Sequence, residues 1–186
     1  MKNKIMGRVF IALTPDKSLN NQIIELKKGL KNGLLDGKEV VWQENNSHHL
    51  TLLFVGEMEP EQIEELFKGI EAIITSRTSI PLEINKISSY PTPSSQSIVA
   101  EINPTAQILK INERISKIAT IIGFENPIKK YRPHIKIGRF QNKNSTVLEF
   151  GDLEEQVKGI VTNIDVYETE FNSGKPVFKL LKTFKN

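Results

Sequence analysis

The sequence predicts an α+β fold built on antiparallel sheets, and three observations carry that prediction. Segments with the two-residue alternation of strands and segments with helical spacing of apolar residues are mixed along the chain, without the regular alternation of a doubly wound parallel sheet. The strand-like segments are joined in several places by connections of hairpin length. At 186 residues the chain suits one domain, large enough to bury roughly 70 per cent of its unfolded surface and so to need no covalent staple.

The elements follow in order. Val9 to Leu13 reads as a strand, and Ser18 to Leu30 as a helix with Ser18 as its cap and Leu19, Ile23, Leu26 and Leu30 at helical spacing. Gly29, Gly33 and Gly37 punctuate a loop. Val40 to Trp42 and His49 to Val55 are strands separated by the polar loop Glu44 to Ser47, and Pro60 opens a helix carrying Ile63, Leu66, Phe67, Ile70 and Ile74. Leu82 to Ile87 and Ile98 to Ile102 are strands, and the turn-rich stretch Ser88 to Ser95 between them is a loop. A helix after Pro104 carries Ile108, Ile111, Ile115, Ile118 and Ile122 and ends near Gly123. Strand Ile135 to Ile137, a short helix near Asp152 to Gln156, and strands Val161 to Tyr167 and Val177 to Leu181, joined by a turn at Asn172-Ser173-Gly174, complete the chain.

Composition excludes several classes of chemistry. With no cysteine there is neither a disulfide scaffold, nor a thiol nucleophile, nor a thiolate zinc site. Three histidines without His-x-x-x-His spacing argue against a dedicated metal site, so no metal and no cofactor are expected. No apolar run approaches the roughly 20 residues of a membrane span, which points to a cytoplasmic protein with no membrane partner. The net charge of +3 is modest, yet between Glu125 and Glu149 there is no acidic residue, while Lys129, Lys130, Arg132, Lys136, Arg139 and Lys143 crowd around His134. A basic run is often only a solvated loop; the histidine in its middle makes a phosphate-binding surface the better expectation.

Two histidines sit in closely similar frames, His49-Leu50-Thr51-Leu52 and His134-Ile135-Lys136-Ile137. On a strand, the histidine and the residue two places on share one face, while Leu50, Leu52 and Phe54 go to the other. Two such strands across a cleft present two imidazoles that titrate near neutrality, as acid-base catalysis on a phosphate ester requires. His48 must point away from His49 and reads as structural or solvent-facing. Trp42 and Tyr90 are aromatics near loops that either pack locally or stack on a nucleobase.

These frames resemble those of the 2H phosphoesterase superfamily, in particular the LigT-like 2',5' RNA ligase or RNA 2',3'-cyclic phosphodiesterase family. The stretch Val41 to Glu57, with Trp42, a short polar loop, His49-Leu50-Thr51-Leu52 and Gly56-Glu57, is similar to the family's first motif, and Tyr131 to Arg139 to its second. Looser similarity at Arg8 to Leu13 and Tyr167 to Phe184 extends the resemblance over nearly the whole chain. The resemblance implies a single domain over 1–186 with two pseudo-symmetric lobes: two antiparallel β-sheets flanked by helices around a central cleft. It implies catalysis by His134 as base and His49 as acid on RNA 2',3'-cyclic phosphate ends or cyclic nucleotides, without metal, by a monomer. Thr51, Lys136, Arg139 and Tyr90 are the substrate-binding candidates. Lys136 departs from the family's Thr or Ser, and it either supplies an ammonium to the phosphate, is neutral drift with an altered substrate, or marks a site reduced to binding RNA ends or nucleotides. Another 2H substrate, such as a 2',5'-oligoadenylate, is a further alternative. Strict alternation turns Arg139 away from His134, whereas a bulge at Gly138 would bring it back.

Overall fold

The computed structural model describes residues 7–33, 35, 39–74, 79–91, 96–125, 131–141, 149–173 and 175–185. Among them run β1 (Arg8–Pro15), α1 (Lys17–Asn32), β2 (Val40–Trp42), β3 (Leu50–Glu57), α2 (Pro60–Ile73), β4 (Ile80–Pro91), β5 (Gln96–Ile102), α3 (Ala106–Ile121), β6 (His134–Phe140), β7 (Glu149–Asn172) and β8 (Lys175–Lys185). The fold is α+β and every strand pairing is antiparallel.

The strands form two walls that share β7. One wall has the order β3-β1-β7-β8, and the other continues from β7 through β4 and β5 to β6, with β2 on the far edge of β6. At Val161 the long strand passes between them, paired with Pro15 of β1 on one side and Ile80 of β4 on the other. The walls meet again where Leu50 pairs with Ile135. Each histidine thus borders the seam on its own wall.

The predicted apolar stripes bury against the strands. Leu19, Ile23 and Leu30 of α1, Ile63, Leu66 and Ile70 of α2, and Ile108, Ile115 and Ile118 of α3 belong to one core with Val9, Ile11 and Leu13 of β1 and Ile164 and Val166 of β7. Leu26, Phe67, Ile74, Ile111 and Ile122 pack around it. Alternation along β1 and β7 then leaves Phe10, Ala12, Asp165 and Tyr167 on the opposite face.

Four local expectations are corrected. The cap of α1 is Asp16, whose Oδ1 accepts from the Leu19 amide at 2.8 Å, and Ser18 lies inside the helix; a carboxylate suits the positive end of the helix dipole. Gly29 lies within α1, because the stripe continues to Leu30 on its core face, and Gly37 lies outside the described residues. Asp152 to Gln156 is strand within β7: it runs between the β4 pairs Lys86 with Asp152 and Ile84 with Val157, and the register shift between those pairs takes up 153–156 as extended backbone in place of the predicted helix. Ser88 to Tyr90 continues β4 because Val99, Ile98 and Ser97 pair with it, while 92–95 lie outside the described residues. The caps of the other helices follow the expected punctuation, with Pro60 at the start of α2, a capping box between Glu59 and Gln62, and Gly123 at φ 101° after α3. Among the described residues no helix is long and apolar enough to cross a membrane.

Candidate active site

His49 stands immediately before β3, and His134 opens β6. In both, Nδ1 lies 2.8 Å from the backbone carbonyl of the residue two places earlier, Ser47 for His49 and Arg132 for His134. A carbonyl oxygen only accepts, so Nδ1 carries the hydrogen in each ring and Nε2 presents its lone pair. The same restraint, repeated, leaves both imidazoles ready to exchange a proton through Nε2.

The strands after the histidines share an irregularity that alternation does not foresee. Ile11 pairs with Leu53 and Ala12 with Thr51, so Leu52 is unopposed; Ile98 pairs with Gly138 and Val99 with Lys136, so Ile137 is unopposed. Each is a bulge at the third residue after the histidine, and each advances the pleat by one residue. Leu52 and Leu53 are therefore both buried, and Phe54, expected on the packing face, turns to the histidine face, where it is 64% exposed and 5.7 Å from Phe10. Arg139 turns the same way. It shares a row with Ser97 and Tyr90, and Tyr90 stacks on His134 at 5.1 Å. Gly138 permits this because a Cβ there would stand 3.1 Å from Val40 Cγ1 and 3.2 Å from the Val41 carbonyl.

The surroundings of the two imidazoles differ. Phe10 at 5.0 Å, Phe178 at 5.2 Å and Tyr167 at 6.3 Å ring His49 with aromatic surface. Burial lowers its pKa below the usual 6.5; the Ser47 carbonyl opposes this, and the nearby His134 and Lys136 push it lower. Burial also lowers His134, against which its Arg132 carbonyl bond acts; then the Arg132 guanidinium lowers it and the Glu101 carboxylate raises it. Glu101 pairs with His134 across β5 and β6, accepts from Ser88 Oγ at 2.5 Å and lies 3.6 Å from Arg132. Arg132 also lies 5.1 Å from the Tyr90 ring centroid. Lys136 is lowered from its ordinary value by burial and then by Arg139. Thr51 is half-buried on the His49 face, and its carbonyl accepts from Tyr131 Oη at 2.8 Å.

Thus the structure brings His49, Thr51, His134, Lys136, Arg139 and Tyr90 to one seam. Lys129, Lys130 and Lys143 lie outside the described residues. His48 is 3% exposed, so it is structural and not solvent-facing, and Trp42 packs against the core beside Gly138. Sequence patterning missed Phe10, Phe178 and Tyr167, which reach His49 from strands distant in the chain, and it missed Glu101, whose place opposite His134 depends on register. A signal existed only for Phe10, which alternates with the core residues of β1. Among the described residues no three His, Asp or Glu side chains form a metal-holding group.

Residues 13–100 match the family model described as LigT like Phosphoesterase, a span that includes the first histidine frame and ends before the second. An RNA 2',3'-cyclic phosphodiesterase of Archaeoglobus fulgidus is 22% identical over 96% of this chain and 99% of its own, and one of Thermotoga maritima is 23% identical over 94% and 92%. Among solved structures, E. coli LigT complexed with 3'-AMP superposes with a TM-score of 0.77 at 19% identity, covering 97% of this chain and 98% of that one. A protein of Thermus thermophilus gives 0.75 at 18%, covering 96% and 97%. Residues 13–100 thus match the LigT like Phosphoesterase model, and over nearly its whole length the chain has the fold of E. coli LigT.

Proposed function

We propose that the protein hydrolyses 2',3'-cyclic phosphate at RNA ends or on nucleotides to the 2'-phosphate. The observation that carries this reading is the pair of imidazoles, each tied at Nδ1 and presenting Nε2 at one seam. Water attacks phosphorus and passes its proton to the neutral imidazole; the bond from phosphorus to the ribose 3' oxygen breaks, and that oxygen takes a proton from the imidazolium. Thr51 Oγ1, the Lys136 ammonium and the Arg139 guanidinium hold the nonbridging oxygens and stabilise charge as it develops. The activity needs no metal. The names of the Archaeoglobus and Thermotoga relatives support the substrate class, and the 3'-AMP complex of E. coli LigT supports a nucleotide in the cleft. The protein works as a cytoplasmic monomer.

Resemblance assigns His134 as base and His49 as acid. Burial lowers both rings in the free protein; His134 and Lys136 act further on His49, and Arg132 and Glu101 oppose each other at His134. We keep the base at His134 and the acid at His49. Lys136 favours one rival, a binding protein for RNA ends in which the second motif no longer supports turnover.

The test is turnover of a 2',3'-cyclic nucleotide in EDTA, followed as phosphomonoester product. The native protein turns over, and His49→Ala and His134→Ala each lose roughly a hundredfold or more. Lys136→Ala falls by about a hundredfold, on the scale of one preorganised donor, and Lys136→Thr stays active. Turnover appearing only in Lys136→Thr, with nucleotide bound by the native protein, establishes the binding reading; loss in EDTA restored by added metal overturns metal independence.

A further inference from the structure

The face that carries His49 extends well beyond the histidine. Tyr167 stacks on Phe10 at 5.2 Å, and alternation along β7 places Thr169 and Phe171 on the same face. Cross-strand partners share a face, so Leu180 opposite Tyr167, Phe178 opposite Thr169 and Pro176 opposite Phe171 belong to it as well. Phe54 joins from β3 beside Phe10. Three of these side chains are mostly in solvent: Phe54 at 64%, Phe171 at 63% and Leu180 at 51%. Single exposed apolar residues need no explanation, but a contiguous group beside a chemical site does.

The two walls differ in kind. Across the seam stand Arg132, Lys136 and Arg139 with the single carboxylate Glu101, whereas among the described residues the outer part of the aromatic face carries Arg8 and Glu57, paired opposite each other in the ladder of β1 and β3. Cations facing a row of rings is the complement of a single-stranded nucleic acid, with phosphates on one side and base faces on the other. Four-stranded sheets whose aromatics stack two or three bases are a recurring RNA-binding surface.

We propose that the outer face formed by Phe54, Phe171 and Leu180 is a base-stacking track that takes the nucleotides 5' to the reacting end of a single-stranded RNA. This rests on the cyclic phosphodiesterase reading and narrows it: the preferred substrate is an oligonucleotide rather than a cyclic mononucleotide.

The test compares a fluorescein-labelled hexaribonucleotide ending in 2',3'-cyclic phosphate with a cyclic mononucleotide, by anisotropy for binding and by phosphomonoester release for turnover. The hexamer binds about tenfold or more tightly than the mononucleotide, and the double variant Phe171→Ala, Leu180→Ala removes most of that gain while mononucleotide turnover is kept as the reference. Equal affinity for the two ligands, or an unchanged hexamer affinity in the double variant, overturns the track even where the mononucleotide is turned over. A concentration-dependent dimer of the native protein that the double variant disperses also overturns it, by making a second copy the occupant. Tight hexamer binding that depends on Phe171 and Leu180 without turnover of either ligand supports the track and discards the hydrolase reading.

Discussion

An imidazole tied at Nδ1 to a carbonyl differs from its twin only through what surrounds its other atoms: aromatic rings and Lys136 at His49, and Arg132 with the Glu101 carboxylate at His134. Glu101 opposes the lowering of His134 by burial and by Arg132. Glu101→Gln removes the charge and keeps the hydrogen-bonding shape, so the His134 pKa falls further; NMR titration of the ring shows it, and an unchanged midpoint refutes the assignment of Glu101 as a positioning residue. The Arg132–Glu101 contact at 3.6 Å is too exposed to add much stability, so folding is retained. Both histidines lie below 6.5 in the free protein, lowered first by burial. The profile of kcat/KM, which reports the free enzyme, is therefore a bell centred below pH 6.5; a maximum above neutrality contradicts these environments.

At the scale of elements, α1 holds the loop that holds His49. Lys27 is 6% exposed, and its ammonium donates to the Gln43 carbonyl at 2.5 Å and Asn45 Oδ1 at 2.9 Å, and to His48 Nε2 at 3.2 Å. Asn20 completes the tie, accepting from His48 Nδ1 at 2.7 Å. A buried ammonium with three acceptors is satisfied, whereas its removal strands them at about 1–3 kcal/mol for each group left unpaired. Lys27→Met accordingly lowers the urea midpoint and slackens the Ser47 carbonyl behind His49. Burial, with Lys27 and His49, lowers the His48 pKa to about 4, so the unfolded chain binds a proton that the folded one refuses between pH 6.5 and about 4. That contribution is complete above pH 6.5 and is lost as pH falls through the window, by on the order of 3 kcal/mol. Urea denaturation at pH 7 and pH 4 checks it, and the loss shrinks in Lys27→Met because one cause of the shift is gone.

At the scale of the whole molecule, the described residues include groups that tie the two histidine frames together. Besides the Leu50–Ile135 pair, Tyr131 Oη donates to the Thr51 carbonyl, and Asn112 Nδ2 from α3 donates to the Leu52 carbonyl beside it at 2.7 Å. Burial pushes the Tyr131 phenol far above its ordinary value, so it remains a donor throughout the working pH range. Tyr131→Phe removes a tie between the two histidine frames without leaving a cavity. It costs about 1 kcal/mol in urea unfolding and speeds amide exchange over Thr51 to Leu53. Unchanged exchange there refutes the role of Tyr131 as a link between the walls.

The helices, the antiparallel class and the two histidine frames were legible in the sequence because they rest on local periodicity and on residues close together in the chain. Ile108 to Ile122 needs only its own spacing to declare a buried face, and the His49 frame is read from Thr51 two places on together with its repeat at His134. What partners what was not legible. The strand at Asp152 to Gln156 is held by the β4 pairs at Asp152 and Val157 on either side of it, and Phe54 and Arg139 face the seam because register with β1 and β5 leaves Leu52 and Ile137 unopposed. Glu101 beside His134 and Phe178 beside His49 are likewise contacts between distant strands. Side-chain direction after a bulge depends on hydrogen bonds to another strand, and that information enters only when the chain closes on itself.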